Sequence, residues 1–136
     1  MREEPKDSRQ LSPAARLERL LELCEGLCTW CASDLSAKFA SPTRDHIVPR
    51  IKGGPTRLEN EVACCGSCNQ KRGHTAPSAW IEACRSERGL EPNVALVASQ
   101  LSELSAAIER DGGMRKIRDY VKREHSRVVA LGEPRR

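Results

Sequence analysis

Two Cys-x-x-Cys pairs, Cys28–Cys31 and Cys65–Cys68, constrain this chain more than any other feature. Zinc takes four soft ligands in a tetrahedron, and two such knuckles supply them. Four thiolates leave no open coordination position, so the expected zinc is structural and its binding energy is folding energy. The 136 residues include only four aromatics, Trp30, Phe39, Trp80 and Tyr120. A short segment so poor in large apolar side chains needs a staple. The chain has seven cysteines, an odd number, and in a reducing compartment paired knuckles indicate metal rather than disulfides. Cys64-x-x-x-Cys68 stays open as an alternative, with Cys65 preferred for its tighter spacing. Cys24 is a weaker ligand candidate and fits an apolar helix face; Cys84 reads as packing.

The charge is unevenly placed. Residues 38–74 hold seven Lys and Arg against three Asp and Glu, which accounts for the whole net charge of +4. A basic segment lying on the motifs suits an anionic partner such as a nucleic-acid backbone. No run of apolar residues is long enough to span a membrane. Met1–Asp7 is mixed in charge with no apolar stretch behind it, unlike a signal peptide. The expected location is therefore cytoplasmic.

Helical patterning dominates the flanks. Ser12 is a suitable N-cap and Pro13 a suitable first residue for an amphipathic helix over 13–25, stopped by Gly26. Residues 1–10 read as a polar, frayed end. Short strands are expected over 36–40 and 43–48, with Ser41-Pro42 as a turn between them. Gly53-Gly54-Pro55 is expected as a flexible loop, and Leu58–Val62 as a short structured turn. Helices are expected from Gly66 to Arg72 and from Pro77 to about Gly89. Val94, Val97, Leu101, Leu104 and Ile108 mark another over 93–110. After Asp111-Gly112-Gly113, Ile117, Val121, Val128 and Leu131 mark a last helix, with Glu124 and His125 interrupting its stripe and Gly132 and Pro134 ending it. That gives three parts: an N-terminal helix over 1–26, a core over 27–88 and a helical extension over 89–136, which either packs on the core or meets a partner.

Asp45 and His46 are adjacent, so on an extended strand they point to opposite faces. A carboxylate suits a hard divalent ion such as magnesium or manganese, and a histidine suits a general base. Asn69 adds an amide oxygen directly after the second knuckle. Singly these are a surface histidine, a helix cap and, at Asn60, a turn residue; together on one basic segment they indicate a site.

Cys28-x-x-Cys31, Asp45-His46-Ile47-Val48-Pro49, Gly53-Gly54, Asn60 and Cys65-x-x-Cys68-Asn69, followed by Lys71 and Gly73, make this segment resemble the HNH endonuclease family, in a variant with asparagine at the third signature position. The resemblance covers about a third of the chain. It implies an α+β, mainly helical chain with a ββα-metal core, a zinc knuckle pair and flanking helices. It implies that His46 is the general base, that Asp45 and Asn69 bind a catalytic Mg2+ or Mn2+, and that Asn60 holds the hairpin loop so that His46 is aimed. Cys28, Cys31, Cys65 and Cys68 would bind a separate structural zinc, and a backbone contact would set the His46 tautomer. Arg50, Lys52, Lys71 and Arg72 are phosphate-contact candidates, as is His74; His125 reads as a surface residue. The alternative to a DNA endonuclease is a non-catalytic, zinc-stapled nucleic-acid-binding module.

Overall fold

A computed structural model describes residues 8–133. The polar end up to Asp7, and Pro134 as a terminator, lie outside the described residues. Ser8–Gln10 is a 3-10 turn rather than a frayed end, and the Ser8 hydroxyl donates to Glu59 at 2.5 Å.

Helix α1 spans Pro13–Leu23, with the Ser12 side chain accepting from the Ala15 amide. Glu25 and Gly26 turn the chain out of it at φ 56° and 75°. The first knuckle follows as a tight turn in which Leu27 bridges Asp34 and the Cys28 amide donates to Ser33 O at 2.8 Å.

Two strands follow. Strand β1 is Pro42–His46 and β2 is Glu61–Cys65; they pair antiparallel, Asp45 opposite Val62 and His46 opposite Glu61. The strand expected over 36–40 does not form. Ser36 donates its amide and hydroxyl to the Asp34 carboxylate at 2.8 and 2.6 Å, a local turn that competes with a strand ladder. Phe39 is 90% exposed, so that stretch offers no face to bury. The strand that does pair with β1 is almost wholly buried, Glu61 included. That charge is tolerated because Glu61 accepts from Arg16 of α1 and from Arg44 of β1, each at 2.7 Å.

Helix α2, Gly66–Arg72, returns across the hairpin and completes a ββα unit. Helices α3 (Pro77–Glu87), α4 (Val94–Asp111) and α5 (Arg115–Leu131) follow. The apolar stripes of α4 and α5 meet as a helical hairpin, burying Val97, Leu101 and Leu104 with Ile117, Val121 and Val128. This hairpin packs on the core: Gln100 Nε2 donates to Leu58 O and Glu61 O at 2.8 and 2.9 Å. The Asn93 amide donates to Thr29 O at 2.8 Å. One hydrophobic cluster runs from Leu20 through the strands to Val128. No described helix is long and apolar enough to cross a membrane.

Glu124 interrupts the α5 stripe without leaving the interior. It is 1% exposed and accepts from the Ser78 amide at 3.0 Å and from the Ser78 hydroxyl. It thereby satisfies a free amide in the first turn of α3, a task normally done by an N-cap side chain. Glu124→Ala should leave that amide unpaired and destabilise the protein by about 1–3 kcal/mol in urea denaturation; unchanged stability would show that the bond contributes nothing.

Candidate functional site

The end of β1 and the facing helix α2 collect the residues that the sequence singles out. Asp45 is 5% exposed. Its Oδ2 accepts from the Trp30 indole N–H at 2.9 Å and from Arg72 at 3.0 Å. Thr43 lies on the same face of β1 as Asp45, two residues away. The Asn69 amide nitrogen donates to the Thr43 hydroxyl at 3.1 Å, which sets α2 against that face. Asp45 Oδ1 and Asn69 Oδ1 thus make no hydrogen bond among the described residues. Two oxygens, one from a carboxylate and one from an amide, are a donor set that fits a hard divalent cation.

Arg72 does not reach the surface. It is 1% exposed and its ring partner is Trp30, with the guanidinium 5.3 Å from the ring centroid. It donates to His46 O, Ile47 O and Thr75 O as well as to Asp45. Its fork is filled by backbone and carboxylate, so in this structure it positions the end of β1 and is not available to phosphate. Arg50, Lys52 and Lys71 are exposed, with no ion pair among the described residues. His74 is also exposed.

His46 projects from the opposite face of β1, beside Arg44 and across from Glu61. Its Nε2 is 2.9 Å from the Thr56 hydroxyl. The expected backbone partner is thus replaced by a side chain that lay unnoticed in the turn after Gly53-Gly54-Pro55. Burial pushes the imidazole below its usual range, and Arg50 and Arg44 push the same way against the opposing charges of Glu61 and Asp45.

Asn60 closes the connection between the strands. It is fully buried; its Oδ1 accepts from Val48 N at 2.8 Å and its Nδ2 donates to Val48 O and Pro55 O. The Gly53-Gly54-Pro55 stretch is therefore pinned rather than free. A methyl group at Gly54 would sit 1.8 Å from Val48 O, so only glycine permits this approach.

The sulfurs of Cys28, Cys31, Cys65 and Cys68 lie within 4.8 Å of one another. Cys64 faces the other way, toward the Thr43 hydroxyl at 3.5 Å, as the alternation of a strand requires. Cys24 donates to Leu21 O and stays with α1, and Cys84 is buried on α3. Backbone amides point at the cluster: Cys65 N donates to Cys28 Sγ and Cys68 N to Cys65 Sγ. Burial pushes the Cys28 thiol up to about 11. Burial also raises Cys31, but hydrogen bonds from Ser33, Cys28 and Cys68 outweigh it and bring that thiol down to about 7. Arg88, another residue the sequence did not single out, sets its guanidinium 3.4 Å from Cys68 Sγ and over the Trp80 ring. A closed set of four sulfurs with a cation beside it suits a zinc–thiolate centre.

A cleft of about 570 Å³, bounded by Arg85, Glu91 and Leu131 among others, takes in none of Asp45, His46 and Asn69.

Comparison with known proteins bears on the same segment. Residues 28–84 match the family model for HNH endonucleases. Over 56 residues the chain is 43% identical to the CRISPR-associated endonuclease Cas9 of Corynebacterium diphtheriae, a match covering 40% of this chain and 5% of that protein. The crystal structure of the type II-C Cas9 enzyme from Actinomyces naeslundii aligns with a TM-score of 0.49 at 22% identity, over 94% of this chain and 12% of that one. The chain therefore spans a small part of each of these larger proteins.

Two outcomes are expected from the site geometry. Asn60→Ala would strand the buried Val48 amide and carbonyl and the partly buried Pro55 carbonyl, destabilising the protein by about 3 kcal/mol or more; urea denaturation measures it, and a loss near zero would remove Asn60 as the clasp. By NMR, His46 should titrate below the 6.5 usual for histidine, so its neutral form persists into mildly acidic buffer. A midpoint above 6.5 would show that Glu61 and Asp45 outweigh burial.

Proposed function

We propose, starting from the HNH endonuclease match over residues 28–84, that this chain is a divalent-metal-dependent DNA endonuclease hydrolysing phosphodiester bonds. The observation that carries this reading is that one ββα unit bears all three residues, Asp45 and His46 at the end of β1 and Asn69 on the facing helix α2. Asn69 is bonded to the strand that bears the other two.

In this reading Asp45 and Asn69 hold the catalytic cation, magnesium or manganese, through the oxygens their hydrogen bonds leave over. When bound, such an ion stabilises the charge that builds on the phosphate and the leaving oxygen. His46 takes the proton from the attacking water. The neutral imidazole has one donor and one acceptor nitrogen. Nε2–H donating to Thr56 Oγ1 leaves Nδ1 as the base, so Thr56 is a positioning residue. Depression of the His46 pKa keeps that lone pair available at neutral pH. Asn60 fixes the loop that carries Thr56. Arg50, Lys52 and Lys71 contact phosphates and set the register of the duplex without reading its sequence. Zinc on Cys28, Cys31, Cys65 and Cys68 is structural and fastens the first knuckle to the β2–α2 junction.

Incubation with plasmid and magnesium or manganese should nick or linearise it. His46→Ala should lower the rate by about 10²-fold or more with zinc content unchanged. If the plasmid stays intact while duplex binding persists, the chain is a non-catalytic nucleic-acid-binding module instead. Thr56→Val should cut kcat by about fivefold, the effect of losing one hydrogen bond of roughly 1 kcal/mol, whereas Thr56→Ser retains it. Metal analysis should find one zinc per chain, lost in the Cys65→Ser/Cys68→Ser double variant; zinc retained there would overturn the ligand set.

A further inference from the structure

The helical hairpin that follows the ββα unit takes no part in the site described above, yet its second helix is strongly charged. Helix α5 carries six Lys and Arg against two acids, and one of those acids, Glu124, is buried against Ser78. Its first turn holds Arg115 and Lys116 with no acid. Cations there oppose the helix dipole and weaken the helix, so fold stability does not account for them.

The two flanks of α5 differ. Arg118 and Lys122 lie on one, where Arg118 pairs with Glu109 of α4 at 2.8 Å. Lys116, Tyr120, Arg123 and Arg127 lie on the other, at helical spacings of four, three and four. Here Arg123 stacks over the Tyr120 ring at 5.6 Å, Arg127 reaches Glu124 at 3.3 Å, and Lys116 has no ion pair among the described residues.

The second flank adjoins the ββα unit. Ile117 lies so close to Gly53 that a methyl group there would sit 3.3 Å from its Cγ2. Gly53 directly follows Lys52, on the turn that also carries Arg50. One turn further on, burial raises the Tyr120 phenol, and Glu124 and then Arg72 are the next charges acting on it. Arg72 is the residue that binds Asp45 and His46 O. The flank thus continues the exposed basic surface that begins at Arg50 and Lys52.

We propose that the Lys116–Arg123 flank of α5 is a second binding surface for the phosphate backbone of duplex DNA, extending the contact of the Arg50–Lys52 turn. This rests on the nuclease reading and gives the C-terminal hairpin a function within it: to lengthen the electrostatic footprint on DNA.

The test measures binding of a labelled duplex by fluorescence anisotropy across a salt series, in the His46→Ala protein so that the DNA stays intact. Each phosphate contact contributes about 0.9 to the slope of log K against log salt. Lys116→Ala/Arg123→Ala should lower that slope by about 1.8. Arg118→Ala/Lys122→Ala, which removes the same charge from the other flank, should leave it unchanged, and Lys116→Arg/Arg123→Lys should preserve it. Circular dichroism and melting curves check that each variant is folded. Equal losses on the two flanks, or no loss on the first, overturn the surface while leaving the nuclease reading intact. A His46→Ala parent with no duplex affinity overturns both.

Discussion

The guanidinium of Arg72 is the tie on which the site depends. It lies inside the protein, where an unpaired charge is very costly, and its rigid fork of donors is matched by Asp45, His46 O, Ile47 O and Thr75 O. The His46 and Ile47 carbonyls belong to the place where β1 leaves its ladder. A single side chain from the last turn of α2 therefore ends the strand, orients the Asp45 carboxylate and locks helix to hairpin. Lysine could not substitute, because an ammonium offers neither the fork nor the flat face that covers Trp30.

Two further clasps bound the same region. Asn60 closes the long connection between the strands by bonding both the amide and the carbonyl of Val48. The sulfur cluster joins chain segments 34 residues apart, Cys31 to Cys65, at the junction where β2 becomes α2. Cys65 belongs to both jobs, since its sulfur also accepts from the Cys68 amide as the cap of α2. Each clasp fixes a different end of the hairpin, and Arg72 joins Asn60 at the end where β1 leaves its ladder.

What the sequence made legible was local. Ser12 and Pro13 announced α1, the stripe from Val94 to Ile108 announced α4, and the knuckle spacing announced the sulfur cluster. The choice of Cys65 over Cys64 also followed from spacing, and strand alternation supplies its cause: neighbours on β2 cannot both turn toward Cys28. What escaped was long-range polar pairing. Glu61 opens β2, and nothing beside it in sequence reveals that Arg16 and Arg44 neutralise it, so the segment reads as a turn and 36–40 as the strand. Arg72 reads as one more cation in a basic run because three of its four acceptors lie 25–27 residues earlier. Glu124 read as a break in a stripe for the same reason: Ser78 is 46 residues away. Thr56 sat among turn residues with no mark of its own.

The chain has two tryptophans, and each is covered by an arginine next to one of the two centres. Trp30 gives its indole N–H to Asp45 beneath Arg72. Trp80 lies beneath Arg88, which touches Cys68. Indole emission responds to the local electric field, and a change of charge at either centre alters the field across the adjacent ring. The protein accordingly carries two intrinsic optical probes, one for the carboxylate and one for the sulfurs, separable by replacing either ring with phenylalanine.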